Sequence, residues 1–295
     1  MRPFDYQKVY SLQEAFHAAS ASKGASAFLA GGTDLLVQIK EGKKQPRCVI
    51  DVKGIHELAG VIVSGDRLSI GSLTTIRTLE TSLPVLQKVP LLARTAAQLG
   101  SIQVRHRATI GGNLCNASPS ADTAPALLAL DAQVEIEGKT GSRIIELSSF
   151  FLEPGATVLG DGEILARLKI PLTPNRQGSV YYKLSARKAM DLAFVGVAVL
   201  LELGRNDEIT KPRIALGAVA PTPIRVPSAE NLLKGTRLGP EAAREAAELA
   251  ARFCEPISDH RSSADYRREM VRALCQQGLL AAYRQAKSQE KDKNE

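Results

Sequence analysis

Apolar and polar positions in this chain change period every ten to twenty residues, and the changes predict alternating helices and strands. Leu12, Ala15, Phe16 and Ala19 recur at helical spacing. Ser11 stands before them as an N-cap, Glu14 completes a capping box three positions on, and Gly24 stops the run. Residues 2–10, with Pro3 near the start, read as extended. Short apolar runs at 27–29 and 48–52 read as strands, so residues 1–55 form an α/β opening.

From Val61 the texture shifts toward paired strands. Residues 61–63 and 67–70 flank Ser64-Gly65-Asp66 as a hairpin would. Residues 75–80, 85–99 and 123–130 read as helices, the second of them amphipathic. The segment 133–137 alternates like a half-buried strand, 142–146 pairs with it, and a strand at 163–170 is stopped by Pro171. Residues 172–179 are polar and carry Pro, Asn and Gly, which suits a domain boundary. Beyond it lie apolar segments at 180–186, 192–203 and 209–220. The middle one is nearly all apolar and fits either a central strand or a buried helix. Pro221-Thr222-Pro223 makes a turn, and 241–253 and 264–286 read as helices. The polar tail is expected to be disordered.

Composition narrows the function classes. A chain of 295 residues with 44% apolar content is long enough for two domains or one large one. Polar residues interrupt every apolar run near the start, so a secretory leader is not expected and a cytoplasmic location is. No run approaches a membrane span. The cysteines at 48, 115, 254 and 275 form no CxxC pair, which argues against zinc or an iron–sulfur cluster held by this chain alone. The net charge is +7. Its densest basic group, Arg105-His106-Arg107, lacks aromatic neighbours, so nucleic-acid binding is not expected. The charge suits a polyanionic cofactor or an acidic partner surface.

Two glycine-bearing stretches carry the candidate chemistry. One is Thr109-Ile110-Gly111-Gly112-Asn113, continuing through Asn116-Ala117-Ser118-Pro119 to Asp122. The other is Leu29-Ala30-Gly31-Gly32-Thr33-Asp34-Leu35-Leu36, between a short strand and a short helix. Paired glycines allow positive φ and close approach of a ligand to the backbone, and successive N–H groups in such turns make anion sites. Two of them could hold the two halves of a pyrophosphate, which points to a dinucleotide. The familiar alternatives fail: Gly160-Asp161-Gly162 has Leu165 where G-x-G-x-x-G needs its last glycine, and Gly138-Lys139-Thr140 lacks the P-loop's leading glycine. There is no H-E-x-x-H and no G-x-S-x-G.

Together the two stretches resemble the FAD-binding medium subunit of molybdenum hydroxylases, the family of the xanthine dehydrogenase flavin domain and the carbon monoxide dehydrogenase medium subunit. The likeness extends to residues 103–108, 49–58 and 183–193, and so over nearly the whole chain. His106 departs from it where Asn is frequent. The resemblance implies an α/β (α+β) fold: a PCMH-type FAD-binding domain over 1–175, built of two α/β subdomains at 1–55 and 56–175, then a small α/β C-terminal domain over 180–287 and a disordered tail at 288–295.

It also implies that Leu29 to Leu36 and Thr109 to Asn113 wrap the FAD pyrophosphate with backbone amides, Thr33 and Asn113 adding side-chain hydrogen bonds. Asp122 matches an acidic residue that holds a ribose hydroxyl; capping the helix at 123 is the plainer role, and one residue can serve as both. Leu165, with a one-residue ambiguity against Ala166, matches an aliphatic flavin contact or is simply core. Lys183 matches a cation near the flavin or is a solvated strand lysine. Leu99 stands where some relatives stack an aromatic, which Leu cannot do, and Tyr181 and Tyr182 are flavin neighbours or core.

The work so implied is electron transfer by an oxidoreductase subunit. A large partner subunit carries the molybdenum cofactor, a small one carries two 2Fe–2S clusters, and the complex is a dimer of heterotrimers. Electrons pass through FAD to NAD or another acceptor, and this chain needs no catalytic group or metal of its own. Two other readings remain open: a self-contained FAD-dependent oxidoreductase of the same fold, resembling the cell-wall enolpyruvyl reductases, and a nucleotide-binding module without redox function.

Overall fold

The computed structural model describes residues 2–173 and 176–289. The chain opens with β1 (Asp5–Lys8), α1 (Leu12–Ala21), β2 (Ser26–Leu29), α2 (Leu35–Lys40) and β3 (Cys48–Asp51). The capping box forms as the sequence predicts. Ser11 Oγ accepts from the Glu14 N–H at 3.2 Å, and Glu14 Oε2 accepts from the Tyr10 N–H at 2.8 Å. Both β1 and β2 pair in parallel with β3, giving a three-stranded sheet in the order β1-β3-β2. Val9, Ala15, Ala18, Ala19 and Ile50 form its core.

A second unit follows. The hairpin of β4 (Val61–Ser64) and β5 (Arg67–Gly71) leads into six short helices. These are α3 (Ile76–Thr81), α4 (Leu83–Lys88), α5 (Pro90–Ala96), α6 (Ile102–Arg107), α7 (Ile110–Cys115) and α8 (Thr123–Ala129). The unit closes with β6 (Gln133–Gly138), β7 (Gly141–Glu146), the small pair β8 (Phe151–Glu153) and β9 (Ala156–Thr157), and β10 (Ile164–Pro171). Antiparallel pairing yields the order β4-β5-β10-β6-β7, and the helices pack their apolar residues on this sheet. The helix expected over 85–99 is broken. Val89, held before Pro90, leaves helical geometry at φ −137 and ψ 58, and α5 restarts at the proline.

The third unit contains β11 (Arg176–Leu184), β12 (Val195–Leu203), β13 (Ile209–Gly217), β14 (Ile224–Arg225), α9 (Pro227–Leu233), α10 (Pro240–Phe253) and α11 (Ala264–Ser288). The near-continuous apolar run is the strand β12, buried along its whole length, and not a helix. Val197, Val199 and Leu201 lie in the core beneath α11, while Ala198 and Leu200 join the core of the second unit, so both faces are covered. Strand β11 starts at Arg176, inside the segment expected to be a boundary, because its polar residues find partners. Arg176 pairs with Asp207, and the Gln177 side chain reaches Glu202 on β12. The tail expectation is corrected at its first residues. Helix α11 runs through Ser288, and the Gln289 side chain bonds both the N–H and the C=O of Gln177, at 3.1 and 2.8 Å. Residues 290–295 of the expected tail lie outside the described residues.

The third sheet docks closely on α8. A Cβ at Gly217 would stand 2.7 Å from Pro125 Cγ, so only glycine allows this approach. Arg213 and Arg225 clasp Asp131, just beyond α8, each at 2.9 Å. No helix among the described residues is long and apolar enough to cross a membrane.

Candidate functional site

A cleft of about 770 Å³ runs where the three units meet, within the usual range for cofactor sites. Its walls include Ala30, Gly31, Gly32, Thr33, Asp34 and Leu35 from the first unit. Thr109, Gly111, Gly112, Asn113 and Asp122 come from the second, together with Leu99 and Leu165. Met190, Asp191 and Leu192 come from the third. The two glycine stretches, about eighty residues apart in sequence, thus share one cavity.

Their contact is close. The Cβ that Gly31 lacks would lie 2.0 Å from the Arg107 carbonyl oxygen, just before the second stretch. Gly32 turns the chain at φ +76. Behind the turn, Leu29 Cδ1 and Leu36 Cδ1 sit 3.0 and 3.1 Å from the Cβ position of Gly32. They wedge the turn from outside and do not line the cleft, and Leu36 is exposed. Asn116 ties the stretches together, donating to Asp34 Oδ1 at 3.3 Å and accepting from Gln38 Nε2 at 2.8 Å. Gln38 was missed in the sequence, since its only signal is its place on the cleft side of α2.

Five successive N–H groups of the first stretch are free. Among the described residues, those of Gly31, Gly32, Thr33, Asp34 and Leu35 donate to no protein acceptor, and Asp34 makes no capping bond. Successive free donors on a cavity wall form an anion cradle. The Thr33 hydroxyl points to Asp34 Oδ2 at 3.4 Å.

The second stretch works differently, and at residues 110–113 it departs from the expected wrap of backbone amides. Residues 110–115 are not loop but helix α7, with Thr109 Oγ1 capping the Gly112 N–H at 3.1 Å. The Ile110, Gly111 and Asn113 N–H groups donate to Thr74, Ser72 and Thr109 carbonyls. All four amides from Ile110 to Asn113 are therefore spent inside the protein. Gly111 is glycine for packing, since its Cβ would meet Ser72 Cβ at 2.6 Å. Ile110 is fully buried in the core and lines nothing. Gly112 is open: only Thr109 Oγ1 lies within 4 Å of its Cβ position, at 3.0 Å. Asn113 Oδ1 accepts from Thr123 Oγ1 at 2.6 Å, which leaves its amide NH₂ to donate.

Asp122 is buried at the cleft wall and makes no helix-capping bond, so the capping alternative fails. Its Oδ2 takes the Lys183 ammonium at 2.8 Å and its Oδ1 the Tyr181 hydroxyl at 3.2 Å. Burial raises the Asp122 pKa, and the Lys183 charge with the two hydrogen bonds pulls against that rise. The Lys183 side chain is only 7% exposed, so it is no solvated strand lysine. It stands behind Asp122 and is not part of the cleft wall.

Leu99, Leu165, Ile164, Met190 and Leu192 give the cleft apolar lining. Of the two aliphatic candidates on β10, Leu165 faces the cleft and Ala166 the core of the first unit. Tyr182 packs toward α11, its ring 3.6 Å from the Cβ position of Gly278. The segment carrying Met190 to Leu192 was legible only as part of the resembling run at 183–193. A cleft that carries both a row of free amides and apolar side chains fits a dinucleotide with a flat ring, as FAD is.

Comparisons with known proteins agree with this geometry. Residues 2–173 match the model of the FAD binding domain in molybdopterin dehydrogenase. Residues 180–282 match that of the CO dehydrogenase flavoprotein C-terminal domain. The carbon monoxide dehydrogenase medium chain of Hydrogenophaga pseudoflava is 34% identical over 280 residues, covering 95% of this chain and 97% of that one. The xanthine dehydrogenase FAD-binding subunit of Escherichia coli O157:H7 is 31% identical, covering 94% and 95%. Among solved structures, carbon monoxide dehydrogenase from H. pseudoflava superposes with a TM-score of 0.93 at 33% identity, covering 97% of this chain and 99% of that one. Quinoline 2-oxidoreductase from Pseudomonas putida 86 gives 0.90 at 30% identity, covering 97% and 98%.

Proposed function

This chain belongs to the family of FAD-binding medium subunits of molybdenum-containing dehydrogenases, and from that premise we propose that it is the electron-transfer subunit of such a complex. Electrons enter from 2Fe–2S clusters on a small partner subunit and leave to an external acceptor, NAD or another. The organic substrate is oxidised at a molybdenum cofactor on a large partner subunit, in a dimer of heterotrimers. Bound FAD supplies the redox chemistry, and the chain holds, orients and shields it.

The observation that carries the reading is the row of unpartnered N–H groups from Gly31 to Leu35 on the cleft wall. These amides hold the pyrophosphate without spending a cation, because aligned N–H dipoles already present positive charge. Asn113 contributes its amide NH₂, and Gly112 lets the phosphate approach α7. Asp122 accepts from a ribose hydroxyl. Leu99, Leu165 and Leu192 exclude water from the ring. Electron uptake from clusters needs no acid or base from this chain.

The test is reduction through the partners. The chain is co-expressed with its large and small subunits, and the purified complex receives its organic substrate without oxygen. The flavin absorption bands then bleach along with those of the clusters. Clusters that become reduced while the flavin stays oxidised would refute the proposed route.

A further inference from the structure

Tyr181 and Lys183 stand two positions apart on one face of β11, and both reach Asp122 across the boundary between the third and second units. They anchor different oxygens of the carboxylate, Tyr181 on Oδ1 and Lys183 on Oδ2. Lys183 is itself fixed by a second bond to the Gln98 carbonyl at 3.1 Å. The Tyr181 ring is buried, and β12 makes room for it at Gly196, whose Cβ would lie 3.1 Å from the hydroxyl. Gly196 pairs in register with Gly217, the glycine that admits Pro125 of α8. The third sheet is thus shaped to bring the hydroxyl to the residue that precedes α8. Among the described residues, Asp122 has no other side-chain partner. A carboxylate has about four acceptor positions, so bonds remain available on its cleft side. Held by Lys183 alone it could turn about its last torsion, which is broad in Asp. With a second anchor its plane is fixed.

We infer that Tyr181 is a positioning residue of the FAD site, its hydroxyl orienting Asp122 toward the ribose although Tyr181 lines no part of the cleft. The inference rests on the reading of the cleft as an FAD site. FAD affinity is then coupled to the docking of the third unit, because both anchors come from it.

The test titrates FAD into the full chain freed of flavin, as wild type, Tyr181→Phe, Asp122→Asn and the double variant, with thermal unfolding of each flavin-free protein alongside. Tyr181→Phe keeps the ring and is expected to weaken FAD binding about tenfold, because Asp122 is then free to turn and its own hydrogen bond to the ribose is weakened. Its flavin-free melting temperature falls by only a few degrees, since the same bond also ties the third unit to the second. Because Tyr181 acts through Asp122, the double variant loses less than the sum of the two single losses. An unchanged affinity in Tyr181→Phe, or a full additional loss in the double variant, overturns the inference. Failure of the wild type itself to take up FAD overturns the underlying reading of the cleft instead.

Discussion

Replacing Gly31 by alanine probes the joint between the two stretches with a single methyl group. The new Cβ would lie 2.0 Å from the Arg107 carbonyl oxygen, 2.7 Å from its carbon and 3.0 Å from Ala108 Cα. All three are backbone atoms, so no side chain can swing aside. Ordinary contact requires the turn to retreat by about 1.4 Å. Overpacking of this kind costs about 1–3 kcal/mol, and rigid backbone on both sides places it toward the upper end. A retreat also pulls Gln38 and Asp34 away from Asn116 and shifts the free amides relative to Asn113 and Asp122. Losing even one charge-assisted bond to a phosphate costs about 1.5–3 kcal/mol, or roughly tenfold to a hundredfold in affinity. The assay is fluorescence titration of the flavin-free chain with FAD, paired with thermal unfolding. Gly239→Ala, just before α10, is the control, since nothing lies within 4 Å of its Cβ position and it does not line the cleft. Gly31→Ala with unchanged FAD affinity and unchanged melting temperature would refute the close joint.

Two other perturbations test separate parts of the account. Gly112→Val projects its branches into the cleft, because no other protein atom lies near that Cβ; flavin retention should be lost while the fold persists, and normal flavin content would remove α7 from the site. Asp259 anchors the buried Arg267 guanidinium at 2.7 Å, at the start of α11. Burial works to raise its pKa, but the Arg261 and Ser262 N–H groups and Arg267 outweigh it and hold it down to about 2. A depressed carboxylate pKa gives stability that is present above the unfolded value, near about 4, and is lost as pH falls toward 2. Asp259→Asn should therefore lower unfolding stability by about 1 kcal/mol at neutral pH, with the gap closing over that acid window in denaturant titrations. A gap independent of pH would show that the carboxylate charge is not what matters there.

The sequence exposed what local chemistry decides. The Ser11–Glu14 box, the hairpin at Gly65 and the long C-terminal helices follow from residues close together in the chain. Pro90 shows a local signal overridden by a longer pattern: the apolar stripe over 85–99 continues past a residue that the backbone does not tolerate. Helix α7 was hidden for the opposite reason. Two glycines suppress helix propensity, and the helix is held by its Thr109 cap and by tertiary bonds to Ser72 and Thr74. At the site, the shared cleft follows from the paired stretches, but their division of labour does not. The amides of Ile110 and Gly111 are spent on Thr74 and Ser72, nearly forty residues upstream, whereas those of Gly31 to Leu35 meet no acceptor among the described residues. The anchoring of Asp122 by β11 depends on a docking that no local pattern encodes.

The central claim is tested most directly by a visible absorption spectrum of the gently purified protein, with the cofactor then released and identified. The account predicts oxidised-flavin bands and FAD in equimolar amount with the chain. A colourless protein that takes up no FAD on reconstitution would contradict it.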